Sequence, residues 1–471
     1  MISLLAAFTS TEADPDFWWH LRIGQWMLQN GLPRHDIFTY TVPGHTWTDH
    51  EYLTEIAMAL IQGWGGLLAI SIAFGLLTWA GFWLIFLSAR AQRAPYVIAA
   101  LGIVLGALAG SPIWGPRAQM ITFFMACLQL HWLRQYLAGR SRALYWFPLL
   151  MVLWANLHGG WVIAFGFFGV ALAAEALKLV VDRQDLAARA HLRRLVIITV
   201  ASGLAVLATP HGPSLLLYPF QTQGSVAQQS LIVEWFSPNF HRSDLKPFEA
   251  MILLAFVGFA LRRPTLYDLL LTLAVTALAL QSVRHIALFV AAVTPILITT
   301  WAGVWRELAE RRSWRLGAAP PRPLFAATTA VALLAVTVAT VGVIASHLRQ
   351  QDQVTRSEFP VGAADWLAAH PEVGTRMFNQ YGYGGYLAYR FYPDPNRRVY
   401  VFGEAELMGD PLLVRYEAVA SLQSDWQSIL DQDRVDYVVF NRGSALPDVL
   451  ATEPGWERVY QDAYTEIYVR R

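Results

Sequence analysis

Two aspartates near the start of the chain are the first residues that could do chemistry. Asp14 and Asp16 flank Pro15 in the run DPDFWWHL. A positioned carboxylate can act as a general base that takes a proton from a hydroxyl group. The same two side chains could instead bind a divalent metal ion, which prefers hard oxygen ligands, or only stabilise the start of a helix. We take Asp16 and Asp14 as candidate catalytic residues and keep a divalent metal as the alternative use of the pair.

A second polar group lies at His50, Glu51 and Glu55. The two glutamates are four residues apart and so share one face of a helix. The spacing is not that of a zinc protease, because Thr54 stands where the second histidine would be. Glu51 is a third candidate catalytic residue, and a solvated face of an interfacial helix is the alternative for both glutamates.

Other ionisable residues lie at the ends of apolar segments, where they are costly and usually face a cavity. An arginine in such a place can bind a lipid-linked phosphate in a bidentate manner, or it can snorkel to lipid headgroups. A lone histidine is more often a structural residue, and no pair of histidines has firm metal-ligand spacing, so we assign no metal ligand. The candidate substrate-binding residues are His20, His50, Arg117, His158, Glu234, Arg284 and His285.

The elements that must position these residues are membrane helices. Of the 471 residues, 55% are hydrophobic and only 15% are charged, which is not the composition of a soluble domain. Apolar runs of about 20 residues can cross the hydrocarbon core of a bilayer. Together with one span at or before the N-terminus, they predict a polytopic α-helical protein with about 10–11 transmembrane helices. The predicted spans are residues 66–88, 94–110, 117–138, 143–158, 160–180, 195–209, 247–261, 265–282, 285–305 and 323–346.

Basic residues predict the orientation of these spans, because loops rich in Arg and Lys stay in the cytoplasm. Most of the basic residues before residue 350 lie in five turns, at 89–93, 134–142, 178–194, 262–263 and 306–322. The segments that then face outward are 10–65, 209–247 and 347–471. Because Met1–Phe8 is too short to cross a membrane, we expect a misplaced start or a missing first helix.

The predicted organisation has three parts: an outward first loop at 1–65, a transmembrane core at 66–346 and an extracytoplasmic α/β domain at 347–471. In the first loop, residues 17–29 have the pattern of an amphipathic helix at the membrane interface. We expect Trp18, Trp19 and Trp26 to anchor it at headgroup level. A second interfacial helix is expected to begin near Asp49.

The C-terminal segment alternates helical and strand patterns, as an α/β domain does. The predicted helices are 359–370 and 423–433, and the predicted strands are 375–380, 397–403, 435–442 and a terminal hairpin within 456–471. The run YGYGGYLAYR at 381–390 predicts a tight turn or a loop that contacts a sugar or a partner; its row of tyrosines disfavours a nucleotide loop. Asp and Glu outnumber Arg in this segment, which argues against nucleic acid as a partner.

Several motifs resemble those of a known group of enzymes. An aspartate ahead of an amphipathic helix, then MLQNGLP at 27–33 and a second short helix, resembles the first loop of the GT-C glycosyltransferases. These include the protein mannosyltransferase and lipid A aminoarabinose transferase families. The whole chain also resembles a little-characterised group of bacterial membrane proteins through DPDFWWHL, DHEYL, NLHGGW, EWFSP and RHIALF.

The resemblance implies a GT-C-like core in the bacterial inner membrane and a sugar donor carried on a polyprenyl phosphate. It places Asp16 at the position of the catalytic aspartate. The sequence departs from the pattern in two places. Phe17 follows Asp16 where those families have glutamate, and HEYL at 50–53 stands in place of their KPP element.

Two functions remain open. In the first, the protein transfers a sugar from a polyprenyl-phosphate donor to a glycan, lipid or protein acceptor outside the cytoplasm, with Asp16 as base and Arg284 or Arg117 at the phosphate. In the second, it is a non-catalytic membrane protein, either a transporter or a structural subunit of a larger assembly. Either would have membrane lipids as partners. The apolar runs lack mid-membrane charges, which disfavours a transporter; one shared, water-accessible pocket would favour the enzyme.

Overall fold

The computed structural model of the chain describes residues 2–9, 14–312 and 322–471. The part up to residue 358 is helical. Its helices are α1 (Ile2–Phe8), α2 (Phe17–Asn30), α3 (Tyr52–Ala91), α4 (Tyr96–Ala109), α5 (Gln119–Leu137), α6 (Phe147–Leu157), α7 (Ile163–Val181), α8 (Leu186–Ala205), α9 (Ser214–Gly224), α10 (Val226–Leu231), α11 (Lys246–Leu261), α12 (Leu266–Gln281), α13 (Ile286–Arg311) and α14 (Arg322–Glu358). Residues 313–321 of the predicted basic connector lie outside the described residues.

Each predicted span coincides with one of these helices. Many of their apolar side chains are exposed, such as Leu101 at 66% and Leu253 at 62%, as expected where the surrounding medium is hydrocarbon. The chain is therefore a multi-pass membrane protein. Among the described residues, the helices long and apolar enough to cross a membrane are Tyr52–Ala91, Gly159–Val181, Val283–Arg311 and Ala330–His347, and shorter apolar helices are Tyr96–Ala109, Ala143–Leu157 and Leu266–Gln281.

Helix α3 joins the first loop to the membrane core. It begins shortly after Asp49, whose Oδ1 accepts a hydrogen bond from the backbone N–H of Glu51 at 3.1 Å. Its backbone leaves helical geometry at Gly65 and Gly66, where Gly66 has φ +67°, a conformation that glycine adopts without steric cost. The two parts of α3 can thus point in different directions.

The amphipathic helix predicted over 17–29 is α2, but the prediction that its tryptophans lie at headgroup level is wrong for two of them. Trp18 and Trp19 are only 5% and 3% exposed. The ring of Trp18 packs edge-on against Phe359 and Tyr386, with centroids 5.7 and 5.2 Å away. A distant part of the chain covers this face of the helix, which local periodicity cannot reveal.

The C-terminal part is an α/β domain, as predicted. Its elements are α15 (Val361–Ala369), β1 (Met377–Asn379), α16 (Gly384–Phe391), α17 (Ala405–Met408), α18 (Asp410–Ala420), α19 (Trp426–Gln432), β2 (Tyr437–Asn441), α20 (Ala445–Leu450), β3 (Trp456–Gln461) and β4 (Thr465–Arg470). The strand order is β1-β2-β4-β3, with β1 and β2 parallel and the other pairs antiparallel. Strand β2 is buried, as its unbroken apolar run predicts.

The strand predicted at 397–403 is wrong. This segment is buried, but it joins no sheet: Val399 forms one isolated bridge with the first loop, and the backbone of Tyr400 and Val401 bonds to the side chain of Asn379. Asn379 Oδ1 accepts from the N–H of Tyr400 at 2.8 Å, and Asn379 Nδ2 donates to the carbonyl of Val401 at 2.9 Å. A side-chain amide carries one donor and one acceptor group and can therefore replace a ladder partner.

The turn or loop predicted at 381–390 is also wrong, because most of this segment is helix α16. The helix packs against Pro15 and α2 through Gly385. A Cβ atom on Gly385 would lie 2.5 Å from the carbonyl oxygen of Pro15, so only glycine fits there. Gly385 therefore serves close packing on the first loop, whereas Gly384 meets the backbone of Val401 and Phe402.

Further hydrogen bonds join the first loop to the C-terminal domain. Arg22 Nε donates to the carbonyl of Tyr389 at 3.0 Å, and the hydroxyl of Thr41 donates to the carbonyl of Tyr400 at 2.7 Å. The first loop is thus enclosed between the helical core and the C-terminal domain, which fixes the segment that carries Asp14 and Asp16.

Candidate active site

Asp14 and Asp16 lie where the first loop enters α2. The backbone N–H of Asp16 donates to Asp14 Oδ1 at 2.9 Å, and the indole N–H of Trp19 donates to Asp16 Oδ1 at 3.0 Å. Gly403 of the C-terminal domain lies so close that a Cβ atom on it would be 2.6 Å from Asp16 Cγ. The Asp16 carboxyl group is therefore held both by its own helix and by the C-terminal domain.

Arg117 is the cation that neutralises Asp14. Its guanidinium forms ion pairs with Asp14 and with Glu234. Burial opposes the charge of Arg117, but Asp14 and Glu234 outweigh that effect and raise its pKa. Arg284 lies on the other side of Glu234, with Nε 4.0 Å from Oε2, and its side chain is 35% exposed. Arg117 forms ion pairs with two carboxylates, whereas Arg284 has only the more distant contact with Glu234.

These groups meet in one cavity beside α2. Its volume is about 380 Å³, including the space open at its mouth. The cavity lies at one end of the helical core, where α5, α7 and α13 begin. Seven of the ten predicted site residues line it: Asp14, Asp16, His20, Glu51, Arg117, His158 and Arg284.

Asp16 is the carboxyl group in this cavity best suited to act as a base. Burial raises the pKa of Asp16 to about 7, and the negative charge of Asp14 adds to the effect. A base with a pKa near the working pH is effective in proton transfer. Asp14 is the poorer candidate because both of its carboxylate oxygens are occupied, Oδ1 by the backbone of Asp16 and Oδ2 by Arg117.

Glu51 is surrounded by imidazoles. Its carboxylate lies 3.0 Å from Nε2 of His50, 3.4 Å from Nε2 of His158 and 3.5 Å from Nε2 of His20. Burial alone would raise the pKa of Glu51, but the histidines outweigh it and hold the pKa below its usual range. Glu51 is thus a fixed negative charge and a weak base at neutral pH.

The histidines around Glu51 differ in charge. Burial lowers the pKa of His158 to about 4, so it is neutral near pH 7. Its Nδ1 accepts from the N–H of Gly160 and contacts the hydroxyl of Thr122, both at 2.8 Å, which leaves the proton on Nε2, facing Glu51. For His50 burial is opposed by Glu51, which raises its pKa to about 9. Glu51 and His50 therefore form an ion pair.

Three predicted site residues do not line the cavity. Two of them contact residues that do: His50 pairs with Glu51, and Glu234 pairs with Arg117. His285 is not brought to it: its Nδ1 lies 3.2 Å from the carbonyl of Leu278. Its place in the RHIALF motif gave no sign that its ring would bond to the preceding helix.

Sequence reasoning missed several residues near the site. The ring of Tyr218 lies 4.2 Å from that of His50, and its hydroxyl donates to Glu404 Oε1 at 3.4 Å. Burial raises the pKa of Glu404 well above its usual range. Gln119 lines the cavity and donates to the carbonyl of Arg284 at 2.9 Å. The position of Gln119 at the start of a predicted span was a usable signal, whereas nothing local marks Tyr218 or Glu404.

The pair of aspartates does not fit a divalent metal ion. Asp14 already accepts from a backbone N–H and pairs with Arg117, whose guanidinium lies between Asp14 and Glu234. Within residues 2–9, 14–312 and 322–471, no group of three or more His, Cys, Asp or Glu side chains is arranged to hold a metal. Arg117 supplies the positive charge that a metal would bring.

The arrangement can accept a proton and stabilise an anion within one cavity. Asp16 supplies the base, and Arg284, with Arg117 behind it, supplies the positive charge. Such a combination suits the transfer of a group from a phosphate leaving group to a hydroxyl.

Comparison with solved structures identifies the fold. The archaeal oligosaccharyltransferase AglB from Archaeoglobus fulgidus, in complex with an inhibitory peptide and a dolichol-phosphate, matches with a TM-score of 0.58 and 12% identity over 100% of this chain and 73% of its own. ArnT from Cupriavidus metallidurans in the apo state matches with a TM-score of 0.53 and 14% identity over 99% and 95%.

The mycobacterial arabinofuranosyltransferase AftD also matches, with a TM-score of 0.53 and 15% identity, over 99% of this chain and 41% of its own. No family model and no curated protein sequence matches the chain. The chain has the fold of the GT-C glycosyltransferases, which confirms the fold that its motifs predicted.

Proposed function

We propose that this protein is a membrane glycosyltransferase that moves a sugar from a polyprenyl-phosphate donor to an acceptor hydroxyl. The observation that carries the proposal is the single cavity in which Asp16, with a pKa raised to about 7, lies near Arg117 and Arg284. The presence of a dolichol-phosphate in the AglB structure of the same fold supports a lipid-phosphate donor.

In the proposed reaction, Asp16 takes the proton of the acceptor hydroxyl as its oxygen attacks the anomeric carbon of the sugar. The bond between that carbon and the phosphate oxygen breaks, and the polyprenyl phosphate leaves with the electron pair. Arg284 stabilises the charge on the leaving phosphate, which is largest in the transition state. One base and no carboxylate nucleophile is compatible with inversion at the anomeric carbon.

Glu51 has a supporting role in this proposal. Its pKa is low because of the histidines around it, so we assign to it the orientation of His158 at the cavity wall instead of proton transfer. His20 is held mainly by Glu55, whose Oε1 lies 2.7 Å from Nδ1. Neutral imidazoles in such positions can hydrogen-bond sugar hydroxyls as donors or acceptors.

The protein is proposed to lie in the bacterial inner membrane with the cavity and the C-terminal domain outside the cytoplasm. The excess of Arg and Lys in the turns at the opposite end of the helices supports this orientation. Polyprenyl-phosphate sugars and membrane lipids are the proposed partners, and the acceptor is a glycan, a lipid or a protein.

The proposal is tested with purified protein and a panel of undecaprenyl-phosphate sugars, by following release or transfer of the sugar. Wild type should turn over at least one donor, and Asp16→Asn should lose about 10²- to 10⁴-fold in rate, the usual contribution of a general base. Asp244→Asn, in an exposed ion pair with Arg242, is the matched control and should keep full activity. If Asp16→Asn keeps its turnover, Asp16 is not the base. If wild type neither binds nor turns over any donor, a structural subunit is favoured.

A further inference from the structure

A second cavity lies between the first loop and the C-terminal domain, apart from the candidate active site. A water-sized sphere can occupy about 390 Å³ of it, within the range of about 300–1,000 Å³ that ligand pockets occupy. The polar residues that line it are Tyr40, Thr41, His45, Arg376, Arg415, Gln432 and Asp433. The mechanism above uses none of them.

The short helix α17 separates this cavity from the active-site surroundings. On one side, Glu404, just before the helix, accepts from Tyr218, and Glu406 bonds to Thr222. On the other side, Met408 lines the second cavity. Tyr218 packs on His50, which pairs with Glu51 at the first cavity. The helix α17 therefore connects the lining of the second cavity to that of the first through these residues.

The polar groups of the second cavity are held in place before any ligand binds. Asp433 Oδ1 accepts from Arg415 Nη2 at 2.8 Å, and Oδ2 accepts from the hydroxyl of Tyr400 at 2.6 Å. Arg376 Nη1 donates to the backbone carbonyl of Asp433 at 3.1 Å. Binding groups that are already ordered lose little entropy when a ligand arrives.

The cavity also combines a flat ring with both donors and acceptors. The hydroxyl of Tyr40 donates to the carbonyl of Met377 at 3.2 Å, and the guanidinium carbon of Arg376 lies 5.6 Å from the centre of the Tyr40 ring. His45 Nδ1 lies 2.8 Å from the carbonyl of Leu407, so Nδ1 carries the proton and Nε2 is an acceptor.

This combination of an aromatic ring with hydrogen-bond donors and acceptors favours saccharides over phosphates and apolar ligands. A phosphate needs donors only and would be repelled by the Asp433 carboxylate. An apolar ligand would leave Arg376 and Arg415 without the hydrogen bonds that water gives them. A saccharide has hydroxyls that donate and accept, and apolar C–H faces that pack on an aromatic ring such as that of Tyr40.

We propose that the second cavity is a saccharide-binding subsite that holds a sugar unit of the acceptor or product glycan. Its assignment to acceptor or product rests on the proposed glycosyl transfer, whereas the binding itself does not require turnover. The site is formed by two parts of the chain that lie far apart in sequence, so it exists only when the first loop and the C-terminal domain are in contact.

The test measures binding of detergent-solubilised full-length protein to a glycan array of neutral, amino and acidic hexoses and pentoses. At least one saccharide should bind wild type. Losing a hydrogen bond to a charged group weakens binding by about tenfold or more, so Arg415→Gln should show that loss. Gln432→Ala, an exposed change that spares the fold, should show a smaller one. Arg442→Gln, an exposed arginine of the same domain paired with Glu466, should bind as wild type.

The inference and the proposed function fail in different ways. Asp16→Asn should lose turnover but keep saccharide binding. Wild type that binds a saccharide but turns over no donor would refute the enzyme and leave the subsite. The subsite is refuted if no saccharide binds wild type, or if Arg415→Gln and Gln432→Ala bind as tightly as wild type. Displacement of the saccharide by inorganic phosphate at an equal concentration would identify an anion site and also overturn the inference.

Discussion

A methyl group at position 403 of the C-terminal domain should disturb Asp16, the proposed base. A Cβ atom on Gly403 would be 2.6 Å from Asp16 Cγ, where ordinary contacts begin at 3.4 Å. The clash with Oδ1 is closer still, so Gly403→Ala must move the carboxyl group, or the domain, by roughly 1 Å, a misplacement that can lower kcat by about 100-fold.

The same overlap predicts a stability effect that does not depend on activity. Forcing an extra methyl group into a packed site costs about 1–3 kcal/mol. Because the three nearest atoms all belong to the Asp16 carboxyl group, Asp16→Ala removes the obstacle. Gly403→Ala should therefore lower the free energy of unfolding in the wild-type background and have almost no effect in the Asp16→Ala background.

A double-mutant cycle on Asp16→Ala and Gly403→Ala, followed by thermal unfolding in detergent, measures this coupling. Gly455→Ala is the matched control, since a Cβ atom there meets nothing within 4 Å. Additive effects of the two substitutions, or a Gly403→Ala protein with the wild-type Tm and kcat, would refute the packing of the C-terminal domain on Asp16.

Three further predictions follow from the charges at the site. The rate of sugar transfer should rise with pH through about 7, because Asp16 must lose its proton to act as a base. Asp14→Asn should move this rise to lower pH by removing a neighbouring negative charge, and an unmoved pH profile would contradict that coupling. Arg284→Gln should weaken donor binding by about tenfold or more, whereas the exposed Arg242→Gln should not; equal Kd values for both variants would exclude the phosphate role. Arg117→Gln leaves two partly buried carboxylates without their cation and should lower stability by about 2–3 kcal/mol, less than for a fully buried pair, so an unchanged Tm would contradict the ion-pair assignment.

The helical core could be predicted from the sequence because each span is encoded locally. An apolar run with polar ends forms a helix in lipid whatever its neighbours are, and segments such as 117–138 and 247–261 match helices closely. The C-terminal strand β2 was equally visible, since a continuous apolar run between turn residues is typical of a buried strand.

The predictions that were wrong concern segments whose structure depends on contacts with distant parts of the chain. The segment 397–403 has strand-like residues, but its backbone bonds to the Asn379 side chain and, at Val399, to the first loop, and so forms no strand of the sheet. The glycines of 381–390 suggested a loop, yet Gly385 allows a helix to pack on Pro15. The position of Trp18 in an amphipathic helix predicts a headgroup anchor, but the C-terminal domain covers its ring.

The candidate site was predictable in its chemistry but not in its assembly. Arg117 and Arg284 could be chosen because charged groups at the ends of apolar spans usually face a cavity, and Asp16 could be chosen from the DPD motif and the resemblance to the GT-C first loop. Their pairing could not, because it requires the relative positions of helices far apart in the chain. The same holds for Glu404, which no local pattern marks and which reaches the site from the C-terminal domain.

The most direct test of the account separates the binding of the donor from its reaction in one variant. Donor affinity and the single-turnover rate are measured on the same preparations of wild type and Asp16→Asn with an undecaprenyl-phosphate sugar. A base removes a proton only as the reaction proceeds, so the account predicts an unchanged Kd and a rate lower by about 10²-fold or more. An Asp16→Asn protein that reacts at the wild-type rate, or that loses donor binding in proportion to its rate, would contradict it.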